Sequence, residues 1–429
     1  MKGVEETARA GYYEYNWLQE GVRLRLKGIA KERGDLIGKM KIDLDPSKHL
    51  DMSGGTHVWQ GKINMESVDA KKKWINALAK DVETVDWRRV IEYSCTNTLD
   101  KHEEGHPMVM IVNLPVRKEV PYMLHPLVRK DVPCILYGES GIGKSYVSLF
   151  ISILITNGIS AANMVPNKTA KILYLDWEDG EQNLDERLKA LSSGLGISAP
   201  ELHYQYMDGM LKDRLEMVSE RIATYGIDMI IVDSKGASLG GRINEADATV
   251  QLFNSIRSLR ITSLVIDHVA KQSAVGPIGS TFTVAEARNV WEMRSGEHIA
   301  SNIMRVNFHH RKTNMSKKHA PFALEFTFEE DENEIVQSVS VEEIDVTDDV
   351  EARKGMGVAK RIELYLKDLA LPDGTYESAS VSTIVEAIES TNNTVRVRLS
   401  ENVYDSKTNP SGWCEHAGMN EYKYREKDW

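Results

Sequence analysis

The chain has 429 residues, of which 41% are hydrophobic and 27% are charged, so it holds enough apolar material for two or three folded domains. Its formal net charge of −11 argues against a surface broadly coated with cations for nucleic acid, although it leaves room for a local basic channel. The three cysteines lie far apart and form no CxxC pair, which argues against a disulfide framework and against a zinc site.

The opening segment and the longest apolar run indicate a cytoplasmic protein. The opening MKGVEETARAGYYEYNW is mixed and charged where a signal peptide would be apolar. The longest apolar run, 147–155, is interrupted by serines and is far shorter than the roughly 20 residues that span a bilayer. We therefore expect no contact with a membrane.

The first predicted domain, 1–116, is a small α+β region. The segments VRLRLKGIA, LIGKMKIDL and THVWQGKIN read as strands, because apolar and polar residues alternate in the first of them and β-branched residues recur in all three. AKKKWINALAKDV and DWRRVIEYSC read as helices. No residue pattern in this region indicates a particular chemistry.

The second predicted domain, 117–347, is an α/β unit. Its apolar runs VPCILY, KILYLDW, DMIIVD and SLVID are short and nearly continuous, as strands buried on both faces are. Helical patterns lie between them, which predicts a mostly parallel sheet with helices on both faces. The acidic stretch 329–352 that follows is predicted to be an edge hairpin that runs into an exposed linker.

The third predicted domain, 348–429, is a winged-helix-like module. VAKRIELYLKDLA, VSTIVEAIES and NNTVRVRLSENV read as three short helices, with Thr391 or Asn393 as the cap of the third. Arg396 and Arg398 would lie on the recognition helix, but the region has more acidic than basic residues. Protein contacts or ring packing are therefore the alternative to DNA binding.

The segment GESGIGKS matches the phosphate-loop pattern GxxxxGK[ST] in full, between a predicted buried strand and a predicted helix. Glycines let successive N–H groups point inward at phosphate oxygens, and the helix start adds the positive end of its dipole. Lys144 would reach the β and γ phosphates, and the Ser145 hydroxyl would bind Mg²⁺. The predicted nucleotide-binding residues are Gly138, Glu139, Ser140, Gly141, Ile142, Gly143, Lys144, Ser145 and Tyr146.

Polar side chains end three of the later strands, where parallel strands present their ligand edge. Glu178 follows KILYLD and would orient an attacking water, with a helix-capping acid cluster as the alternative. Asp233 ends DMIIVD and would hold Mg²⁺ together with Ser145. His268 follows SLVID and would contact the γ phosphate, with an ordinary surface histidine as the alternative.

The order of these segments resembles the RecA-like AAA-type P-loop ATPases. GESGIGKS is followed by YLDWEDG with ERL, by IIVDS, by DHVAK, by GPIGSTFTVAEARNVW and by RKTN. Within that group the chain is most similar to the RepA-type hexameric replicative helicase branch of plasmids, phages and prokaryotes. The resemblance covers about residues 117–328, and it implies a RecA-like core with ATP and Mg²⁺ as cofactors.

The resemblance also implies roles for individual residues. Glu178 matches the catalytic glutamate and His268 the histidine that senses the γ phosphate. Arg187 matches an arginine near the phosphates, and Arg288 matches the arginine finger given to the neighbouring subunit. A K-x-N element at 312–314 also matches, with its role left open. Two departures from the family pattern adjoin these positions: Asp267 replaces a second histidine, and Ser234 replaces a proline.

The implied partners are further copies of the chain, in a ring such as a hexamer, and single-stranded DNA. Lys235, Arg242 and Lys271 lie in the candidate DNA-facing loops, with ordinary surface cations as the alternative. The residues thus predict a Mg²⁺-dependent ATPase, and the resemblance implies that it acts as a DNA translocase, helicase or DNA-remodelling ATPase in replication or recombination. The alternative is a nucleotide-switched assembly or regulatory ATPase that acts on protein partners.

Overall fold

The computed structural model describes residues 3–9, 11–32, 34–49, 58–104, 110–111, 115, 120–240, 246–269, 280–296, 300–314, 316–345, 353 and 356–426. Two of the predicted DNA-contacting residues, Arg242 and Lys271, lie outside the described residues.

An antiparallel sheet with two helices forms the amino-terminal part. Its five strands pair in chain order: β1 Val4–Arg9, β2 Tyr12–Trp17, β3 Val22–Glu32, β4 Asp35–Leu44 and β5 Val58–Asn64. The helices are α1 Val68–Asp81 and α2 Trp87–Glu104. Alternate residues of β3, beginning Val22, Leu24 and Leu26, are buried in one apolar core with Trp17 and Trp87. The alternation predicted from VRLRLKG thus places one face of the sheet against the core.

A nine-stranded sheet forms the centre of the molecule. Its strands are β8 Pro133–Gly138, β10 Ile172–Asp176, β11 His203–Tyr206, β12 Met229–Asp233, β13 Thr262–His268, β14 Asn289–Ser295, β15 Ile303–Thr313, β16 Phe322–Glu330 and β17 Val336–Ile344. The spatial order is β11-β10-β12-β13-β8-β14-β15-β16-β17. The first six are parallel, and β15, β16 and β17 continue the sheet antiparallel.

Helices cover both faces of this sheet, as the alternation of patterns predicts. They are α3 Lys144–Asn157, α4 Glu181–Gly194, α5 Leu211–Tyr225, α6 Lys235–Ser238, α7 Ala246–Ser258 and α8 Ser280–Glu286. The apolar run 147–155 lies wholly inside α3 and is completely buried. It packs with α4 in the larger core, while α5 and α7 pack on the opposite face. Within the described residues, no helix combines the length and the apolarity needed to cross a bilayer.

A small separate sheet and a hairpin at the edge of the large sheet complete this region. A three-stranded sheet of β6 Tyr122–His125, β7 Val128–Arg129 and β9 Val165–Pro166 lies beside the start of β8. The strands β16 and β17 form an antiparallel hairpin at the outer edge of the large sheet, which begins earlier than the predicted hairpin at 329–352. Residues 346–352 of the predicted linker lie outside the described residues.

The carboxy-terminal module has a core of its own, built from residues that include Ile362, Ile384, Leu399 and Trp413. Thr391 caps the last helix, because its side chain accepts a hydrogen bond from the N–H of Thr394. Whether the module is a winged helix stays a prediction. Its elements in order are α9 Val358–Asp368, β18 Ala379–Ser380, α10 Val381–Ala387, α11 Asn392–Asn402, β19 Cys414–Gly418 and β20 Glu421–Tyr424.

The amino-terminal sheet contacts the central domain through ion pairs. Arg25 and Lys27 of β3 both reach the carboxylate of Glu220 on α5, each at 3.1 Å. Arg9 donates to the carbonyl of Leu259 at 2.8 Å, just after α7. The contact therefore falls on the helices that support β12 and β13.

Candidate nucleotide-binding site

The phosphate loop joins the end of β8 to the start of α3. Gly141 and Gly143 have φ of 83° and 84°, in the left-handed region that favours glycine. A Cβ on Gly138 would lie 2.6 Å from the carbonyl oxygen of Met293, so the end of the strand has room only for glycine. No side chain caps α3 at Gly143. The first N–H groups of the helix are therefore available to an anion.

Lys144 and His268 meet inside this loop. Lys144 is buried, and its ammonium group donates to the carbonyls of Gly138 and Glu139 at 3.1 and 2.5 Å. Its Nζ lies 3.2 Å from Nδ1 of His268. Burial lowers the pKa of Lys144, and burial together with the lysine charge lowers the pKa of His268. The strand-end histidine is thus next to the group that would bind the β and γ phosphates.

Asp233 is connected to Ser145 by buried hydroxyl groups. The Tyr174 hydroxyl donates to Asp233 Oδ2 at 2.5 Å. Ser148 Oγ lies 2.8 Å from that tyrosine oxygen and 2.9 Å from the carbonyl oxygen of Ser145. Strand register brings Tyr174 close to Asp233, because Asp176 and Asp233 are partners in the pairing of β10 with β12. Sequence reasoning missed Tyr174 and Ser148; the one hint was a hydroxyl within each of two otherwise apolar runs.

The residues present fit a Mg²⁺ ion. Burial, with the nearby charges of Glu178, Asp176 and Asp179, raises the pKa of Asp233 to about 6. A divalent cation would relieve this crowding of carboxylates, and hydroxyl and carboxylate oxygens are the ligands that Mg²⁺ prefers. No group of three or more His, Cys, Asp or Glu in the described part of the chain forms a metal cluster. Mg²⁺ needs none, since it usually takes one or two protein oxygens besides phosphates and water.

Glu178 is positioned by a turn that Asp176 holds. The buried carboxylate of Asp176 accepts hydrogen bonds from the N–H groups of Glu178, Asp179 and Gly180, at 2.9, 3.2 and 2.8 Å. Asp176 holds the turn that precedes α4, and no side chain caps the helix at Gly180, so the helix-capping alternative for this acid cluster is wrong. The side chain of Glu178 is exposed and accepts a hydrogen bond from the hydroxyl of Ser234. The residue that replaces the family's proline therefore holds the predicted catalytic glutamate.

The prediction that Lys235 faces DNA is wrong. Lys235 is fully buried as the first residue of α6, and its Nζ lies 2.9 Å from Oδ2 of Asp267. It also donates to the hydroxyl of Thr283 on α8 at 2.5 Å. The other oxygen of Asp267 accepts from the N–H of His268 at 2.8 Å. Asp267, which departs from the pattern that the sequence resembles, thus forms a buried ion pair next to His268.

A comparison with family models identifies the region that carries this site. Residues 113–274 match the model described as an AAA domain, which spans β8 to β13 and the phosphate loop. The region that carries the phosphate loop is therefore similar to the AAA-type P-loop ATPase domains.

Among solved structures, the chain is similar to a KaiC-like protein from the hyperthermophilic archaeon Pyrococcus horikoshii OT3. The two chains are 13% identical, with a TM-score of 0.36. The match covers 53% of this chain and 99% of that one. No curated protein matches the chain.

Arg187 lies at the side of the phosphate loop of the ATPase domain. Its guanidinium donates to Asp179 and lies 5.6 Å from the ring centre of Tyr146, the residue after Ser145. The structure therefore places Arg187 near the start of α3, between the predicted catalytic turn and the predicted nucleotide-binding residues.

Arg288 lies at the opposite edge of the ATPase domain from the phosphate loop. It is exposed, and its N–H donates to the carbonyl of Pro133 at 3.1 Å. Pro133 begins β8, whereas the loop follows the end of that strand. The neighbouring Lys312 donates to the carbonyls of Val284 and Ala285 at the end of α8, at 2.6 and 3.0 Å. Arg288 thus does not join the cluster around Lys144 within its own chain.

Proposed function

We propose that the chain is a Mg²⁺-dependent ATP hydrolase of RecA-like type that works as a homo-oligomeric ring on single-stranded DNA, as a translocase or helicase in replication or recombination. The observation that carries the ATPase part is the meeting of four side chains at one edge of the sheet. Lys144, Glu178, Asp233 and His268 follow or end four adjacent parallel strands, β8, β10, β12 and β13.

Each of these side chains has a separate role in the proposed hydrolysis. Lys144 exchanges the loop carbonyls it now binds for oxygens of the β and γ phosphates. Glu178, held by Ser234, orients and polarises the attacking water. Mg²⁺, when bound by Ser145 and Asp233, supplies positive charge that neutralises the phosphate oxygens. His268 is close enough to Lys144 to respond when the γ phosphate leaves.

The position of Arg288 supports assembly. An arginine finger must reach the transferring phosphoryl group. Arg288 lies at the far edge of the sheet from its own phosphate loop, so it can serve only the loop of a neighbouring copy. The resemblance to the RepA-type helicases supports a ring, of which the hexamer is that family's form.

Two observations favour the alternative, a nucleotide-switched ATPase that acts on protein partners. Lys235 is buried and cannot touch DNA. In the carboxy-terminal module, Arg396 contacts Asn392 and Asn420, and Arg398 pairs with Glu401. Both arginines of the predicted recognition helix are thus engaged within the module.

ATP hydrolysis against protein concentration, with and without single-stranded DNA, separates the two functions. We expect turnover per subunit to rise with concentration and with DNA, and to fall by about 10³ in Arg288→Ala because the neighbour loses its finger. Arg221→Ala, an exposed arginine on α5, is the matched control. Slow turnover that is linear in protein and blind to DNA would reject the motor. Partner capture that requires ATP but survives Glu178→Gln would then support the switch.

A further inference from the structure

A second cleft lies at the edge of the sheet where β8 begins, away from the phosphate loop. It has a volume of about 830 Å³ and is formed by the β6 strand, the β9 strand and the loop between β15 and β16. We call it the amino-edge cleft and define it by Tyr122, His125, Asn167 and residues 316–319. None of the described residues that line it is an aspartate or a glutamate.

The rim of the amino-edge cleft is cationic. Lys317 and Lys318 are exposed side by side on the loop between β15 and β16. Neither forms an ion pair with any residue that the structure describes. In a chain with a net charge of −11, two adjacent uncompensated lysines over a cleft without acids form a local positive site.

A buried arginine lies behind the wall of the cleft. Arg129 is 0% exposed, and its Nη2 donates to the hydroxyls of Tyr122, at 3.2 Å, and of Ser316, both of which line the cleft. Its Nε and Nη1 have no hydrogen-bond partner among the described residues. In that same part of the chain no carboxylate pairs with it. The ring centre of Tyr122, 4.9 Å away, offers partial compensation.

A buried guanidinium without a counter-charge destabilises the fold. An anion in the cleft would place a negative charge beside the Tyr122 and Ser316 hydroxyls to which Arg129 donates, and so would partly compensate the buried charge without touching it.

A series of aromatic ring contacts extends from the core of the central domain to the surface of this cleft. Trp291 stacks on His310 with ring centres 4.2 Å apart, and His319 follows at 5.5 Å. His125, which is exposed, meets His319 edge-on at 5.0 Å. Burial lowers the pKa of His310 to about 4 and also lowers that of His319, so these two rings are uncharged at neutral pH. The rings of Tyr122 and His125, which line the cleft, provide aromatic surface on which a base can stack.

We propose that the amino-edge cleft binds a nucleotide unit, with its phosphate at Lys317 and Lys318, in front of the hydroxyls that Arg129 holds from behind, and its base against the rings of His125 and Tyr122. The phosphate belongs to a polynucleotide strand or to a free nucleotide. This inference deepens the proposed function, on which the polynucleotide case rests, since it gives nucleic acid a site apart from the phosphate loop.

The test compares two double variants of the full chain. Lys317→Gln/Lys318→Gln removes the rim charge, and Lys72→Gln/Lys73→Gln, an exposed pair on α1, removes the same charge elsewhere. The first probe is fluorescein-labelled oligothymidylate, followed by anisotropy without ATP over a series of salt concentrations. The second probe is N-methylanthraniloyl-ATP, titrated into both double variants in a Lys144→Ala background that weakens the phosphate loop. Circular dichroism verifies folding.

For a polynucleotide we expect the cleft variant to bind the oligonucleotide about tenfold more weakly, with a salt slope lower by about 1.4, since each lost contact to a single strand removes about 0.7. For a free nucleotide we expect the residual binding of the ATP analogue to disappear instead. In both cases we expect the α1 variant to bind the probe as tightly as the protein that keeps all four lysines. If neither probe binds, or if the cleft variant behaves as the α1 variant does, the proposal is overturned. Neither assay needs turnover, so ATP hydrolysis by the wild type decides the ATPase proposal separately.

Discussion

Two carboxylates of the site, Glu178 and Asp233, are suited to different tasks because their surroundings differ. Glu178 is exposed at the end of a rigid turn and is held by the Ser234 hydroxyl. Asp233 is buried beside other acids, and its pKa is raised to about 6. Under the proposed mechanism, the first orients a water molecule and the second balances a cation.

Glu178→Gln removes the base without changing the size of the side chain. We expect the rate of ATP hydrolysis to fall at least about 100-fold, because an amide cannot take the proton of the attacking water. Binding of N-methylanthraniloyl-ATP, followed by fluorescence, should be kept. Glu186→Gln, on the exposed face of α4, is the control. A variant that hydrolyses ATP at the rate of the wild type would remove Glu178 from the mechanism.

Asp233→Asn tests the raised pKa of this carboxyl group. Because the pKa in the folded chain, about 6, exceeds the ordinary 3.8, the ionised carboxylate costs stability above pH 6, and that cost vanishes below about pH 4. We expect the nucleotide-free variant to be more stable than the wild type by about 1–3 kcal/mol at pH 8 and nearly equal at pH 4. Thermal unfolding at both pH values measures this, with Asp185→Asn as the control. Equal destabilisation at both pH values would contradict it.

The affinity for Mg²⁺ should depend on the same titration of Asp233, with the opposite pH dependence. Only the ionised carboxylate of Asp233 binds the cation, so Mg²⁺-dependent ATP binding by the wild type should weaken as the pH falls through about 6. A titration of nucleotide binding against Mg²⁺ at several pH values measures it. Affinity that stays constant from pH 8 to pH 5 would be inconsistent with Asp233 as a ligand.

At the scale of elements, one buried ion pair connects three segments around the end of β13, where His268 lies. Lys235 begins α6, Asp267 lies next to His268 at the end of β13, and Thr283 lies on α8. Burial lowers the pKa of Lys235 and raises that of Asp267, so each charged form depends on its partner. The pair thus connects the strand that carries His268, the proposed γ-phosphate sensor, to the segment after Asp233.

Lys235→Met leaves Asp267 as a buried carboxylate without its counter-charge. We expect a loss of about 3–5 kcal/mol in the free energy of unfolding, growing as the pH rises and Asp267 ionises. Lys235→Met/Asp267→Leu should regain most of it, since both charges are gone. Urea unfolding at neutral pH measures the three proteins. If the double variant is no more stable than the single one, the ion pair is not the cause of the loss.

At the scale of the whole molecule, the proposed catalytic glutamate and the proposed arginine finger lie at opposite edges of the sheet. Glu178 follows β10 at the loop edge, whereas Arg288 contacts Pro133 at the start of β8. Under the proposed mechanism, a complete site would require two copies of the chain.

Mixing two inactive variants tests this shared site. Arg288→Ala keeps Glu178, and Glu178→Gln keeps the finger, so a site between the two variants has both groups. Random assembly from equal amounts should restore about a quarter of the wild-type rate, since each site draws one half from each of two subunits. The steady-state rate of the mixture measures it, with each variant alone as the control. No recovery in an assembly shown to be mixed would reject a finger given in trans.

Much of the phosphate-binding chemistry could be predicted from the sequence alone. The loop at 138–145 is contiguous, so its composition determines its shape. The strands β8, β10, β12 and β13 are short apolar runs, and parallel strands end at one edge, which is enough to predict a common location for Glu178, Asp233 and His268. Local pattern and strand direction were sufficient for these residues.

Only the tertiary structure decided which of the other polar side chains take part. Lys235 was predicted to face DNA from its place in a candidate loop. The prediction failed because its partner Asp267 lies 32 residues later, and no local pattern shows that pair. The contacts of Tyr174 with Asp233 and of Ser234 with Glu178 join residues more than 50 positions apart, through the register of β10 and β12. Register and burial depend on how the whole sheet packs, so a local motif determines the chemistry available and the packed sheet determines which side chains supply it.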